Sequence, residues 1–502
     1  MSFSFRILNV CVIAAMAAIG LRPSMLEAQS TERLSEVALF NRCFTHITQL
    51  RLPRSNPLWA AVRDGTLTAA NACMLILDSA VLQSSGPSTG LLQTDNDLSR
   101  LILKTFNDFH RGWFPNDNVV SSFSEGGENY QRTPELTDES EPALHLTRVL
   151  FTEGARYSEI VTSNSAMEAL RTSGALRDDN LPDANRLKSR SLPGGATTVT
   201  LNALHVQRGA LLGIRPMTSN PQKLVQTVNS GQGTSNGIRN LIPDRPIEFN
   251  QSLGGGILGT KSYLALNLGL GEFFPANGGI RVPRRWSKAL LKDLVCRDLP
   301  ALRLTDAVPH VQSSIVAETP PFRGNASCMA CHATMDPLAG VVRNISYLPV
   351  PNRVQNATAT GHVYKWATDL PAETGPVDLD PEFFRRPTSG RILFRGYAGA
   401  LVSRAVQSPG EVGQLLSETD DLYVCAAARY IDFFTGVMPN LQDEGDPARG
   451  AVPAKSKPYR ELAIKLGLEL KQHQNLRTII RAILESDLYR RSNLRDSIEE
   501  GG

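Results

Sequence analysis

The run Cys328-Met329-Ala330-Cys331-His332 constrains this chain more than any other stretch of its sequence. Two cysteines at this spacing lie on one face of a helix, and a histidine follows them directly. Cys-x-x-Cys-His is the attachment pattern of c-type haem, in which both thiols bond the porphyrin and the histidine binds the iron as proximal ligand. The sequence therefore predicts one covalent haem c, anchored by Cys328 and Cys331, with His332 as the metal ligand.

Three other kinds of site use cysteines at this spacing. A zinc site needs about four nitrogen or sulfur ligands, and the chain has no second pair of cysteines so close in sequence. A thioredoxin-like redox pair needs a strand before it, whereas Pro320-Pro321 precedes this motif and Pro337 leaves room for only a short helix. A disulfide between Cys328 and Cys331 would leave His332 without a role. These points favour haem.

The first 28 residues have the pattern of an export signal. Arg6 precedes an apolar run from Ile7 to Leu21, and Ala28 is a small residue suited to cleavage. The run is shorter than the roughly 20 residues that span a bilayer, although an uncleaved anchor is the alternative. Val10 before Cys11 argues against a lipoprotein. We expect a periplasmic protein with no membrane span after cleavage, and association with the cell envelope is left open.

Charge and cysteine usage agree with that compartment. The net charge of +3 gives no reason to expect nucleic acid as a partner, so the expected partner is an unidentified redox protein. Of the seven cysteines, four remain after Cys11 and the two haem thiols are set aside. An even remainder in an oxidising compartment predicts two disulfides. The expected pairs are Cys43 with Cys73 and Cys296 with Cys425, and buried free thiols are the alternative.

The apolar periodicity predicts a mainly α, multi-helical fold, in which a small c-type haem-binding helical module is embedded between helical domains and long irregular loops. The predicted division is 1–28 signal peptide, 29–140 N-terminal helical region, 141–275 central helical region, 276–345 haem-attachment module, 346–410 loop-rich connection and 411–502 C-terminal helical domain. Helices are predicted, among others, over Leu98–Phe109, Glu141–Phe151, Tyr157–Leu170, Leu201–Ile214, Arg281–Cys296 and Glu411–Phe434.

Two further features have ambiguous patterns. The glycine-rich run from Gly254 to Ser262 is similar to a phosphate-binding loop, but Thr260 stands where a glycine must precede the lysine, so we interpret it as an ordinary loop. Arg284, Arg285 and Lys288 either pair with haem propionates or form a solvated face, and the solvated face is favoured.

With Cys328 to Gly340 (CMACHATMDPLAG) in view, the chain resembles the planctomycete-type cytochrome c proteins. In that family a Cys-x-x-Cys-His module followed by Asp-Pro-Leu sits between helical domains of unassigned function. The similar segments are spread along most of the chain from about residue 140 onward: Ala143–Asn164, Gln207–Asn220, Gly279–Pro300, Leu422–Gly436 and Leu476–Arg491. This chain has Leu338-Ala339-Gly340 where the family often has Leu-Gly. The resemblance implies haem c binding and electron transfer, and it identifies no substrate.

The ligand on the other face of the iron is open. Met217 and Met438 each adjoin a proline in a predicted loop, which is the usual placement of a distal methionine. His110 and His362 are the alternatives, although His110 lies in an aromatic run that is more typical of a core. A vacant distal position is a further possibility.

Three functions follow from these expectations. The first is a monohaem electron-transfer protein of the periplasm. The second is a haem enzyme of the peroxidase or oxygenase type with an open distal side, although dihaem peroxidases need two attachment motifs and this chain has one. The third is a secreted helical scaffold in which haem is structural. The sequence leaves open whether the protein is an enzyme.

Overall fold

The computed structural model describes residues 33–115, 140–172, 190–191, 198–199, 209–216, 253–268, 281–311, 321–343, 345–354, 357–366 and 387–492. The predicted export segment 1–28 lies outside these ranges. In the described part the fold is mainly α and multi-helical, which confirms the predicted fold class. The division into regions stays a prediction.

The described residues form fourteen α-helices: α1 (Glu36–Thr48), α2 (Pro57–Arg63), α3 (Ala69–Leu77), α4 (Asp97–Arg111), α5 (Glu141–Phe151), α6 (Glu159–Thr162), α7 (Lys261–Leu268), α8 (Arg281–Val295), α9 (Leu304–Ala307), α10 (Ala326–Ala339), α11 (Pro409–Glu418), α12 (Asp420–Thr435), α13 (Lys457–His473) and α14 (Leu476–Glu485). Within the same ranges, eight strands form four antiparallel pairs: β1 (Met167–Arg171) with β4 (Leu211–Pro216), β2 (Arg190–Ser191) with β3 (Thr198–Val199), β5 (Ile345–Val354) with β6 (Ala357–Trp366), and β7 (Gly390–Arg395) with β8 (Leu401–Val406).

Two predicted helices are wrong. The segment Tyr157–Leu170 contains only the short helix α6, and it then runs into strand β1. The described end of Leu201–Ile214 is part of strand β4, and residues 201–208 lie outside the described ranges. The reason is tertiary: β1 and β4 pair with each other, and β4 also forms a bridge through Gly213 to Leu91. Pairing between distant segments overrides local helical periodicity.

One hydrophobic cluster includes side chains from both ends of the described part of the chain. It includes side chains with no exposed surface from α1, α4, α8, α12 and α14: Phe40, Phe106, Trp286, Phe434 and Ile480. The described ends of the chain also meet, because Arg42 on α1 donates to the backbone oxygens of Tyr489 (2.7 Å) and Arg491 (2.8 Å). The haem-motif region therefore belongs to a fold in which the first and the last described helices share one core.

Glycines allow two close backbone contacts. A β-carbon on Gly467 of α13 would lie 2.5 Å from the Val424 α-carbon of α12, so these helices pack at a distance that only glycine permits. In the glycine-rich run, a β-carbon on Gly255 would lie 2.2 Å from the Pro409 backbone oxygen, and one on Gly256 would lie 2.1 Å from that of Ile160. Both residues also have positive φ. Packing against α6 and α11 therefore accounts for these glycines, and the run continues as a 3₁₀ turn into α7.

Both expected disulfides are formed. Cys43 on α1 is bonded to Cys73 on α3, with α-carbons 6.3 Å apart. Cys296 follows α8 and is bonded to Cys425 on α12, with α-carbons 5.3 Å apart. The second bridge is the more consequential, because it ties the helix that leads toward the haem motif to the centre of the core.

A buried polar chain joins α4, α5 and α12. The Nδ1 atom of His110 lies 2.8 Å from the Thr147 hydroxyl, and its Nε2 atom lies 2.7 Å from the Tyr430 hydroxyl. His145 is equally buried, and its Nε2 has no hydrogen-bond partner among the described residues. Burial lowers the pKa of each of these two histidines to about 3. Both are therefore neutral in the folded protein at ordinary pH.

None of the described helices combines the length and the apolar character needed to cross a membrane.

Removing the long-range disulfide should weaken the fold. The Cys296–Cys425 bridge closes a loop of 129 residues, and in the chain-entropy model this is worth about 5 kcal/mol. We expect Cys296→Ala with Cys425→Ala to lower the free energy of unfolding by up to that amount, measured by denaturant unfolding.

Peptide mapping without reduction should recover both bridges. Free thiols at all four positions in exported protein would contradict the pairing.

The buried histidines predict loss of stability in acid. Their folded-state pKa lies below the unfolded value of about 6.5, so only the unfolded state binds these protons as the pH falls. Each histidine should cost about 1.6 kcal/mol between pH 6.5 and pH 5, because the slope rises from half of its limit at pH 6.5 toward about 1.4 kcal/mol per pH unit. His145→Gln should reduce the slope of unfolding free energy against pH by up to one proton below pH 6.5. An unchanged slope in His145→Gln would contradict the lowered pKa of His145 in the folded protein.

Candidate functional site

The haem motif lies on α10, which begins at a well-formed cap. The Asn325 side chain accepts hydrogen bonds from the backbone N–H (2.8 Å) and hydroxyl (2.7 Å) of Ser327. The helix extends to Ala339, with Pro337 inside its last turn. The expectation of only a short helix was therefore wrong. Pro337 lacks a backbone N–H to donate, but this loss near the end of the helix does not stop the chain from continuing as helix for two more residues.

One face of α10 is buried in a small apolar cluster of its own. Met329, Ala330 and Ala333 pack there with Leu302 and with Leu393 of β7. Cys328, Cys331 and His332, in contrast, are all partly exposed. The burial of one face fixes the rotation of the helix, and the three residues of the motif remain accessible.

The two motif cysteines differ from the four others that the structure describes. Cys328 and Cys331 are free thiols, whereas the other four are paired in disulfides. Burial and the neighbouring Cys328 raise the pKa of the Cys331 thiol, and the Lys288 ammonium opposes that shift. Two unpaired, accessible thiols one helical turn apart are the chemistry that thioether attachment requires.

The His332 ring is oriented by a carboxylate. Its Nδ1 atom lies 3.1 Å from Oδ1 of Asp336, one helical turn later. When Nδ1 carries the proton and donates it to this carboxylate, Nε2 presents its lone pair for a metal. The ring of Phe322 lies alongside, with centroids 4.3 Å apart and the planes tilted by 31°. A free pair of thiols next to an oriented imidazole fits covalent haem c.

Asp336 is in turn held from α8. The Arg284 guanidinium donates Nε to Oδ1 at 2.6 Å and a second nitrogen to Oδ2 at 2.9 Å, a bidentate pair. Arg323 approaches the same carboxylate at 4.0 Å. The solvated face does not describe Arg284, because its side chain is only 16% exposed and two of its donors bond Asp336, whereas the role as a propionate partner stays a prediction. Lys288, on the same helix, is exposed and is close enough to influence the Cys331 thiol.

Helix α8 links the motif to the main core. Trp286 has no exposed surface and donates its indole N–H to the Leu258 backbone oxygen at 3.1 Å. The C-terminal end of α8 is fixed by the Cys296–Cys425 bridge. Arg284 therefore projects from a helix that is anchored to the core near both of its ends.

Ion pairs hold the segment before the motif against the C-terminal part of the chain. Arg303 forms a bidentate pair with Asp443 at 2.6 and 2.8 Å. Arg395 on β7 forms another with Asp306 of α9, at 2.8 and 2.6 Å. Bonding to these arginines lowers the pKa of both carboxyl groups. The segment that precedes the motif is thus held by charge as well as by apolar packing.

The candidates for a distal ligand have different surroundings, and the side chains of two of them lie outside the described residues. His110 has both ring nitrogens within hydrogen-bond distance of hydroxyls in the core, so neither is available to a metal in this arrangement. Met438 follows α12 and is 46% exposed. Met217 and the side chain of His362 lie outside the described residues. The distal ligand stays open.

Sequence reasoning missed the residues that support the motif. Asp336 follows His332 by four residues, and a carboxylate at that spacing is a local signal for a helical pair that could have identified it. The contacts of Phe322 with His332 and of Arg284 with Asp336 have no comparable local signal, because they depend on how these segments pack on α10.

Among the residues that the structure describes, no group of three or more His, Cys, Asp or Glu side chains is arranged to hold a metal ion. Comparisons with protein-family models, curated proteins and solved structures found no match to this chain. The resemblance to the planctomycete-type cytochrome c proteins therefore rests on the haem motif and its flanking segments, and it stays a prediction.

Proposed function

We propose that this protein is an exported monohaem c-type cytochrome, which carries one haem on Cys328 and Cys331 and transfers electrons in the periplasm. The observation that carries the proposal is the pair of free thiols beside a histidine whose Nδ1 faces a carboxylate. This arrangement leaves Nε2 of His332 as the metal-binding nitrogen. Two disulfides elsewhere in the chain support an oxidising compartment.

Each residue of the motif has a distinct task in this proposal. The two thiols hold the porphyrin permanently, so the cofactor cannot dissociate when its charge changes. His332 binds the iron, and Asp336 fixes the direction of the imidazole. When bound, the haem supplies a one-electron couple. The partner is an unidentified redox protein, and the moderate net charge of +3 gives no reason to expect nucleic acid.

Covalent attachment is the first test. Expression with export and haem maturation should give protein that keeps one haem through denaturation, seen as a mass increase of one haem. Changing both Cys328 and Cys331 to alanine should abolish that increase. Cys43→Ala with Cys73→Ala removes another pair of cysteines and should leave it unchanged. Covalent haem on the Cys328 and Cys331 double variant would refute the proposal.

Coordination of the iron tests the carrier against the haem enzyme. A carrier benefits from two axial ligands that do not change with oxidation state, since small rearrangement favours fast electron transfer. An enzyme needs an open iron that peroxide or oxygen can reach. We expect low-spin, six-coordinate iron in both oxidation states, with carbon monoxide binding slowly or not at all, measured by optical spectroscopy. High-spin iron that binds carbon monoxide rapidly and completely would favour an enzyme.

A further inference from the structure

Asp336 is more than a neighbour of His332. Its carboxylate receives the bidentate Arg284 pair, lies 4.0 Å from Arg323, and faces Nδ1 of His332 at 3.1 Å. The side chain is only 17% exposed, and that of Arg284 only 16%. A carboxylate so enclosed is protected from the solvent screening that weakens surface pairs.

We propose that Asp336 is the positioning residue of the proximal ligand, and that its carboxylate lowers the reduction potential of the haem. This inference rests on the proposed function, because it requires haem on Cys328 and Cys331. It goes beyond that function by assigning a residue that tunes the reduction potential of the haem. It also indicates which kind of redox partner the couple suits.

The argument is electrostatic. Metal-binding histidines donate their second N–H to a carbonyl, a water or a carboxylate, and this donation makes the imidazole a stronger ligand. A charged acceptor makes the stronger bond, so Asp336 increases the electron density that His332 gives to iron. Ferric iron carries one more positive charge than ferrous iron, so the stronger donor stabilises the ferric form more. Reduction therefore becomes less favourable.

The scaffold keeps this contact in place. Asp336 is one turn after His332 on α10, so the helix itself sets their separation. Arg284 comes from α8, which Trp286 anchors in the core. Because Arg284 is positive and close, it partly offsets the carboxylate. The two charges should therefore act on the haem in opposite directions.

The expected partner follows from this polarity. A haem with a lowered potential is a good one-electron donor when reduced and a poor acceptor when oxidised. The protein that reduces it must therefore itself be a strong reductant. The protein that it reduces can have a moderate potential.

The test replaces Asp336 with asparagine in the haem-loaded protein. Asp336→Asn keeps the size of the side chain and removes its charge. We expect the equilibrium constant for reduction to rise at least tenfold, which is about 59 mV for a one-electron couple. The g values of the ferric haem in electron paramagnetic resonance should also change, because they depend on the donor strength of His332.

Asp306→Asn is the matched control. Asp306 is also a carboxylate held by a bidentate arginine, on the helix α9 before the motif, but the partners found for it are Arg303 and Arg395 rather than His332. Asp306→Asn should shift the equilibrium constant for reduction less than a third as much as Asp336→Asn does, and it should leave the g values unchanged. Equal shifts in the two variants would overturn the proposal, because the effect would then be one of general charge. Unchanged potential and g values in Asp336→Asn would overturn it too.

A second variant keeps the test decisive if Asp336→Asn does not accumulate. Arg284→Gln leaves Asp336 in the chain and removes the cation that offsets it, so the equilibrium constant for reduction should fall. A rise, or no change, would overturn the proposal. Covalent haem is measured first in the unaltered protein. Its absence there would defeat the proposed function, whereas normal haem content with no shift would defeat only the role of Asp336.

Discussion

The site depends on one charged contact between two helices, the pair of Arg284 on α8 with Asp336 on α10. Without Arg284, the carboxylate would be a partly buried anion with a weak, distant cation at 4.0 Å. Partly buried charges are costly unless they are paired and hydrogen-bonded. The bidentate arginine meets that requirement and leaves Oδ1 within reach of His332. Arg284, on a helix outside the motif, therefore stabilises the charged form of the carboxylate that faces His332.

The motif is small, and the protein around it explains how it is kept in place. Helix α8 is fixed by Trp286 at the Leu258 carbonyl and by the disulfide from Cys296 to Cys425. The segment before the motif is fixed by two bidentate arginine–aspartate pairs. A metal ligand must keep its geometry when the charge of the metal changes. The extensive helical structure around α10 supplies that rigidity in our account.

Local sequence patterns predicted those structural features that depend on residues close together in the sequence. The apolar period of Glu141–Phe151 gave the bounds of α5, and the mainly α class is confirmed. The same reasoning failed at Tyr157–Leu170, where pairing of β1 with β4 overrides the helical pattern. In the site, Asp336 was within reach of a local rule, because it lies one turn after His332. Arg284, 52 residues away, was not, because only the packing of α8 on α10 brings it there.

The account is tested most directly by diffraction from crystals of the exported protein, measured on both sides of the iron absorption edge. The anomalous difference locates the iron atom directly. We expect one iron site bonded to Nε2 of His332, with the porphyrin joined to Cys328 and Cys331 and with Asp336 accepting from Nδ1. A disulfide between those two cysteines, or a zinc ion bound by them with no iron nearby, would contradict the account.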